Sequence, residues 1–203
     1  MADVSQLPRS REATGSGRKV SRDHLQEAAR AVLAEYGLRA EITQVAELAQ
    51  VGAGTIYRNY RNKEDLFLEI AREMANKTNA ELLEVTACSR DARQAVAETM
   101  QIGFKRVDEY GLLTVELVSG NVPDAYKEVV NRKSLANVFR LLLERGVEQG
   151  HFRSDLEVDY MIGAWFSLVA PHALLDLMGR FTAEQLAERT TKFFLAAISR
   201  EAA

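Results

Sequence analysis

Apolar residues recur at intervals of three and four along most of the chain, which is the spacing of amphipathic helices. The first such stripe covers residues 25–36, follows Ser21 as a favoured N-cap residue, and ends at Gly37, a common helix stop. Further stripes predict a long helix from Lys63 to about Leu83, and then helices over 92–110, 112–118, 124–149, 160–175 and 182–198. No segment carries a strand signal, so the predicted fold class is all-α.

Residues 44–66, QVAELAQVGAGTIYRNYRNKEDL, interrupt the long stripes with two short helices and a tight turn. Residues 50–53 form the predicted turn, where Gly52 would free the backbone from the usual φ restriction. Ile56 and Tyr60 are four residues apart, so both point from the second short helix into the domain. The inner face of the first short helix is predicted to hold Val45, Ala46, Leu48 and Ala49. This arrangement is a helix-turn-helix.

The outer face of the second short helix carries groups that bind nucleic acids. Hydroxyl, amide and guanidinium groups hydrogen-bond phosphates and base edges, and small residues allow a backbone to come close. We predict that DNA is contacted by Thr43, Gln44, Ala53, Gly54, Thr55, Tyr57, Arg58, Asn59 and Lys63. Tyr57 and Lys63 are assigned to phosphates, Arg58 and Asn59 to base edges. The alternative is a helical hairpin whose surface is merely polar.

This stretch resembles the DNA-binding signature of the TetR family of bacterial transcriptional regulators. The matching positions are Val45, Ala46, Ala49, Val51, Gly54, Thr55, Ile56, Tyr57, Asn59, Lys63 and Leu66. The departures are Glu41 where the family has Thr, Gln50 for Gly, Gly52 for Ser and Tyr60 for Phe. Glu41 and Gly52 each lack a hydroxyl that would cap a helix or touch phosphate, and Thr43 or Gln44 could supply the missing donors.

The resemblance implies two domains and a homodimer. A flexible tail (1–20) would precede a three-helix DNA-binding domain (21–62) and a ligand-binding and dimerisation domain (63–203). In the tail, Arg9, Arg11, Arg18 and Lys19 could follow a minor groove or simply be solvated. An effector bound to the second domain would shift the long helix from Lys63 and change the spacing of the two recognition helices.

The last two helices are predicted to form the dimer interface. Residues 160–175 contain no charged side chain, and a helix that is apolar nearly all round is buried on two sides. Sixteen residues fall short of the roughly 20 needed to span a membrane, and Pro171 interrupts them. Thr182 and Gln185 form a capping box for the final helix. Two such helices from each subunit would pack as a four-helix interface, with no membrane partner.

An effector cavity is predicted in the second domain. Its candidate lining residues are Met100, Phe104, Phe139, Met161, Trp165, Phe166 and His172. Met and aromatic residues at helical spacing are more often plain core. Gly103 and Gly163 thin two helices, and a buried His172 would need a partner, which favours a cavity. The expected ligand is a small hydrophobic or aromatic molecule.

Charge and composition narrow the classes of protein that remain possible. The net charge of −3 divides into +3 over residues 1–63 and −6 over the rest, which fits a nucleic-acid contact at one end. Cys88 is the single cysteine, which excludes an intramolecular disulfide and favours the cytoplasm. The first residues lack the apolar core of a signal peptide.

No pattern supports an enzyme. The chain lacks a nucleophile elbow and a Walker motif, and His24, His151 and His172 lack the spacing of metal ligands. We therefore predict no metal and no cofactor. The predicted function is a TetR-like homodimeric repressor that binds a palindromic operator and is released by a small organic effector. The alternatives are a regulator of this fold that activates or answers to a protein partner, and a helical ligand-binding or scaffold protein without DNA binding. Steep loss of DNA affinity with salt would exclude the last.

Overall fold

The computed structural model describes residues 21–130, 132–169 and 172–200, without the side chains of residues 132 and 172–174. The regular structure in these segments is helical, which confirms the all-α prediction. The helices are α1 (Arg22–Tyr36), α2 (Ile42–Leu48), α3 (Ala53–Asn59), α4 (Lys63–Cys88), α5 (Ala92–Ser119), α6 (Asp124–Val129), α7 (Arg132–Glu148), α8 (Val158–Val169), α9 (His172–Met178) and α10 (Ala183–Ile198), with a 3-10 turn at Gly37–Arg39. The predictions for the tail, for Pro171 and for the His172 side chain fall outside this description.

The predicted helix ends are confirmed where a capping side chain fixes them. The Ser21 hydroxyl accepts from the His24 amide at 3.2 Å, and Gly37 ends α1 with φ 60°. At α10, the Gln185 amide donates to the Thr182 hydroxyl at 3.2 Å, and the Thr182 amide donates to the Gln185 side chain at 3.0 Å. These caps satisfy backbone groups that a helix end leaves without partners.

Several predicted helix boundaries were wrong. The apolar spacing stops before the end of one helix and continues across the end of another. Helix α4 extends to Cys88 instead of Leu83. The predicted helices 92–110 and 112–118 form the single element α5, in which only Gly111 has non-helical angles (φ 47°, ψ −127°). The predicted helix 124–149 is divided into α6 and α7, since Val130 leaves helical geometry with φ −101° and ψ 88°. The predicted helix 160–175 corresponds to α8, which begins earlier at Val158, and α9, with residues 170 and 171 between them outside the description.

Two apolar clusters hold the helices together. The first joins α1, α2 and α3 to the start of α4, and it continues into Tyr110, Leu113 and Leu117 of α5 and Tyr126 of α6. The second unites α5, α7, α8 and α10 around Phe104, Phe139 and other buried side chains. The helix-turn-helix therefore shares its core with α5, and both clusters meet along that helix.

Helix α1 and the second half of α5 are in unusually close contact, along a seam that contains Gly111 and Glu116. A Cβ atom built on Gly111 would lie 2.8 Å from the carbonyl carbon of Ala34 and closer still to its oxygen. A few residues further on, the Glu116 carboxylate accepts from the Leu38 amide at 2.7 Å. Only glycine fits at position 111, because a side chain would need both a positive φ and space that α1 occupies.

An ion pair reinforces the same seam from α4. Arg30 of α1 donates to the Glu73 carboxylate at 2.7 Å, and the Tyr110 hydroxyl of α5 donates to the same carboxylate at 3.2 Å. The Arg30 guanidinium lies 5.7 Å from the centre of the Tyr110 ring. Burial and the neighbouring Glu73 charge raise the pKa of Tyr110 to about 12, so its hydroxyl stays a donor at physiological pH.

Candidate DNA interface and ligand cavity

The helix-turn-helix forms as α2, a turn and α3. Ile56 and Tyr60 are buried at 0% and 4% exposure, as predicted, and Val45, Ala46 and Ala49 are buried as well. Leu48 is the exception among the predicted inner positions, because it lies 36% exposed at the end of a seven-residue helix.

The turn obtains its geometry from Gln50 and not from Gly52. Gln50 has φ 55°, in the left-handed region, while Gly52 has φ −74° and ψ 145°, which any residue can adopt. The prediction that Gly52 frees this turn was therefore wrong. Gln50 stands where the resembling family has Gly, so the chain carries backbone strain at this position.

Replacing Gln50 by Gly should stabilise the protein. Removing a side chain from the left-handed region relieves about 1–2 kcal/mol, and the greater freedom of unfolded Gly offsets about half of that. We expect a net gain of about 0.5–1 kcal/mol in the free energy of unfolding, measured by urea denaturation. Gln50→Ala is the matched control, because Ala keeps the strain. Equal stability of the two variants would contradict this interpretation.

The outer surface of α3 presents the predicted contact residues in an ordered arrangement. Gly54, Tyr57, Arg58 and Asn59 are exposed, Tyr57 to 54%. Thr55 holds its neighbours in place, because its hydroxyl accepts from Arg58 Nη2 at 2.8 Å and its carbonyl accepts from Asn59 Nδ2 at 2.8 Å. Ala53 and Thr55 are half-buried at the edge of this face. The side chains assigned to base edges are therefore restrained before any ligand arrives.

The other three predicted contact residues surround the start of α2. Thr43 is exposed. The Gln44 side-chain oxygen accepts from the Glu41 amide at 2.7 Å, which leaves its amide nitrogen able to donate outward. Lys63 donates to the Ala40 carbonyl at 3.1 Å and to Glu41 at 3.2 Å. Lys63 thus ties α4 to α2, and a phosphate would have to share it with Glu41.

Tyr60, where the resembling family has Phe, has a partner for its hydroxyl. Arg22 Nε donates to Tyr60 Oη at 3.2 Å, and Arg22 also pairs with Glu69 of α4. Gln26 donates to the same Glu69 carboxylate. Burial raises the pKa of Tyr60 in spite of the nearby Arg22. This cluster anchors the end of α3 to α1 and α4.

A cavity of about 140 Å³ lies between α4, α5, α6, α7 and α8. Three of the predicted lining residues lie on its wall: Phe139, Trp165 and Phe166. Their rings pack together, with 3.8 Å between the Phe139 and Trp165 centroids and 5.2 Å between those of Trp165 and Phe166. Most of the remaining wall is apolar: Met74, Ala75, Leu82, Ile102, Gly103, Val118, Val129, Val130, Leu135 and Val169.

Three of the other predicted lining residues lie elsewhere. Met100, Phe104 and Met161 are almost completely buried in the second apolar cluster, behind the wall, where they pack against other side chains. Gly103 lies on the wall, and a Cβ there would come 2.5 Å from a Val169 methyl group, so this glycine lets α8 approach α5. Gly163 faces open space instead.

The polar part of the wall was not predicted. It comprises Thr78, Asn79, Thr99, Arg106, Thr114 and Ser134. Arg106 is only 2% exposed and is paired with Glu81 and Glu109. The signal for Arg106 was its position on the inner stripe of α5, three residues after Gly103 and four before Tyr110.

Elsewhere in the described chain, no three His, Cys, Asp or Glu side chains gather as metal ligands, and no helix is long and apolar enough to cross a membrane.

Known proteins are similar to this chain in both sequence and fold. Residues 25–70 match the profile described as "Bacterial regulatory proteins, tetR family". The HTH-type transcriptional repressor KstR2 of Rhodococcus jostii is 26% identical over 151 residues, which cover 71% of this chain and 74% of that protein.

Solved structures extend the likeness to the whole fold. The ketosteroid transcriptional regulator KstR2 of Mycobacterium tuberculosis superimposes with a TM-score of 0.74 at 21% identity, covering 94% of this chain and all of that one. The transcriptional regulator FadR of Bacillus subtilis, solved in complex with stearoyl-CoA, gives a TM-score of 0.66 at 19% identity, covering 88% and 100%. Residues 25–70 therefore form a DNA-binding region of the TetR family of bacterial regulatory proteins, and most of the chain is similar in sequence and fold to helix-turn-helix transcriptional regulators.

Proposed function

We propose that the protein is a homodimeric repressor that binds a palindromic DNA operator through α3 and releases it when a small organic effector enters the cavity. Residues 21–62 would form the DNA-binding head and residues 63–203 the ligand-binding and dimerisation body. The observation that carries the DNA-binding part is the outer face of α3, where Thr55 restrains both Arg58 and Asn59 while Ile56 and Tyr60 anchor the opposite face.

Each exposed group of α3 has a role in this proposal. Arg58 would donate to guanine and Asn59 would bond adenine, the pairings that suit a guanidinium and an amide in the major groove. Tyr57, which is 54% exposed, would donate to a phosphate. A Cβ atom on Gly54 would meet no other atom of the protein within 4 Å, so the missing side chain serves the approach of an external backbone and not internal packing.

The homodimer would form through α8 and α10. Both helices expose apolar groups on the described surface: Tyr160 is 70% exposed and Phe193 is 67% exposed. Gly163 on α8 and Ala197 on α10 are also exposed and would let the partner helices come close. A face of this kind is self-complementary about a two-fold axis. Two recognition helices would then meet successive major grooves roughly 34–36 Å apart.

Helix α4 would transmit the effector signal. Met74, Thr78 and Leu82 of this helix line the cavity, while Lys63 at its start is bonded to Ala40 and Glu41, just before α2. A ligand that favours one position of α4 would shift the population between a dimer that fits the operator and one that does not. The apolar wall favours a hydrophobic effector, as does the stearoyl-CoA bound to the similar Bacillus regulator.

The test of DNA reading is selection of genomic DNA fragments by the purified protein. The wild type should enrich a palindrome, and Arg58→Ala and Tyr57→Ala should each lower operator affinity about 10–100-fold, as expected for the loss of one base or phosphate contact. Arg93→Ala is the matched control, because it removes an exposed arginine from α5, far from α3. Affinity should fall steeply with salt. Enrichment that survives both α3 substitutions would overturn the assignment of this face.

The dimer has its own test in sedimentation velocity. Phe193→Glu places a charge in the proposed interface and should give monomers that lose the palindrome. Leu83→Glu is the matched control, since Leu83 is 64% exposed on α4, outside that face. A dimer that persists in Phe193→Glu and dissociates in Leu83→Glu would place the interface elsewhere.

A further inference from the structure

The end of the cavity lined by Thr78, Arg106 and Thr114 is polar, and it is organised by a buried cation. Arg106 is 2% exposed and lies on the wall. Its Nη2 donates to Glu81, its Nη1 donates to Glu109, and its Nε donates to the Thr78 hydroxyl at 3.1 Å. A charge this deeply buried needs such partners, because removing it from water is otherwise prohibitive.

The charge of Arg106 is already neutralised before a ligand binds. Two carboxylates face one guanidinium. Each also has an exposed lysine: Lys77 lies 2.9 Å from Glu109, and Lys105 lies 3.3 Å from Glu81. The lysine side chains are 43% and 54% exposed, so water screens their positive charges from the cavity far more than it screens the buried guanidinium. A ligand carboxylate at this end would be a third anion beside the same guanidinium. Repulsion from Glu81 and Glu109 and the loss of its own hydration would both oppose its binding.

At this end of the cavity, Arg106 has only hydrogen-bond donors to offer a ligand, and Thr114 has only an acceptor. The Thr114 hydroxyl donates to the Arg106 carbonyl at 2.8 Å, so its single hydrogen is used and its oxygen keeps the capacity to accept. The guanidinium has five N–H groups, and the bonds to Glu81, Glu109 and Thr78 described above use three of them. Arg106 and Thr114 both line the cavity, so its wall carries guanidinium donors and a hydroxyl acceptor. A ligand hydroxyl can accept from the one and donate to the other.

We propose that the effector is an uncharged, largely apolar molecule of about one ring, whose hydroxyl group binds between Arg106 and Thr114 while its body packs against Phe139 and Trp165. This inference rests on the proposed effector-released function and specifies its ligand. The volume of about 140 Å³ agrees with this size, since an apolar cavity of roughly 150 Å³ is known to hold a single benzene ring.

The experiment compares three ligands that differ in one group: trans-4-methylcyclohexanol, trans-4-methylcyclohexanecarboxylate and trans-1,4-dimethylcyclohexane. Trp165 is the only tryptophan of the chain and lies on the cavity wall, so its fluorescence reports binding directly. We expect the alcohol to bind at least about tenfold more tightly than the carboxylate. Thr114→Val should weaken the alcohol about fivefold, the effect of one hydrogen bond, and leave the hydrocarbon unchanged.

Thr99→Val is the matched control for the position of the polar end. The Thr99 hydroxyl also lies on the wall and also donates to a backbone carbonyl of its own helix, that of Val96 at 2.8 Å. It is seven residues from Arg106, which places it about 10 Å away along α5. Alcohol binding should survive this change. The proposal is overturned if the carboxylate binds as tightly as the alcohol, or if Thr114→Val weakens the alcohol and the hydrocarbon equally.

Adding the same ligands to the operator complex separates this inference from the proposed function. If the alcohol binds with the expected preferences but leaves the operator complex intact, the ligand chemistry holds and release by this cavity is wrong. If the operator complex forms and no ligand changes the Trp165 signal, the hydroxyl site is wrong and operator binding stands.

Discussion

Gly111→Ala is expected to destabilise the protein by about 4 kcal/mol. Position 111 combines φ 47° with ψ −127°, which non-glycine residues adopt at a cost of about 1–3 kcal/mol. The new methyl group would also collide with the Ala34 carbonyl, and overpacking of this kind costs about 1–3 kcal/mol more. Urea denaturation of the purified variant, followed by circular dichroism, measures the loss.

Gly150→Ala separates backbone strain from collision. Gly150 has φ 71°, yet a Cβ there would meet nothing within 4 Å, so only the strain of about 1–2 kcal/mol applies. A cost for Gly111→Ala no greater than that for Gly150→Ala would show that α1 moves aside easily. In that event the seam between the DNA-binding helices and α5 would be loose.

The seam at Gly111 also lies next to the cavity. Thr114 and Val118 line the cavity from one side of the last turns of α5, while Glu116 in the same turns accepts from the Leu38 amide beside α1. A ligand that displaces these turns would therefore act on the head directly, in addition to any movement of α4. In the proposed function, two routes from the cavity to the DNA-binding helices would therefore converge at α1 and α2.

The helix-turn-helix could be predicted from sequence because its determinants are local. Ile56 and Tyr60 are one turn apart, so their spacing alone places both on the buried side. The residues on the opposite side of the helix then form its outer face. Leu48 was misplaced, because α2 ends at that residue and the helical wheel no longer applies there. The turn was misassigned for another reason: glycine permits a positive φ but does not require one, and Gln50 adopts it instead.

The body was predicted less completely because its features depend on tertiary packing. The apolar spacing runs through Val130, so nothing local marks the division between α6 and α7. Phe139, Trp165 and Phe166 were found by type, but the same reasoning chose Met100 and Phe104, which the fold buries behind the wall. Which apolar side chains border empty space is decided by how helices meet, and sequence spacing does not contain that information.

Arg106→Met should cost about 3 kcal/mol at pH 7. The methionine side chain fills a similar volume, but Glu81 and Glu109 lose the buried cation that they share. Breaking a buried pair from one side costs about 3–5 kcal/mol, and the lower end applies because both carboxylates are about a quarter exposed. Lys77→Met is the matched control: it removes an exposed cation from the same Glu109 and should cost under about 1 kcal/mol.

The pH dependence of this loss identifies its electrostatic origin. Burial alone would raise the pKa of Glu109, but the hydrogen bond from Lys77 and the charge of Arg106 outweigh it and lower that pKa below its ordinary value of 4.5. A lowered carboxylate pKa stabilises the folded protein above the ordinary value, and that stability is lost as pH falls through the folded pKa. The difference between wild type and Arg106→Met should therefore be widest near neutral pH and narrow below about pH 4.5. A difference that stays constant down to acid would show that Arg106 acts through packing, and the neutral polar end of the cavity would lose its main support.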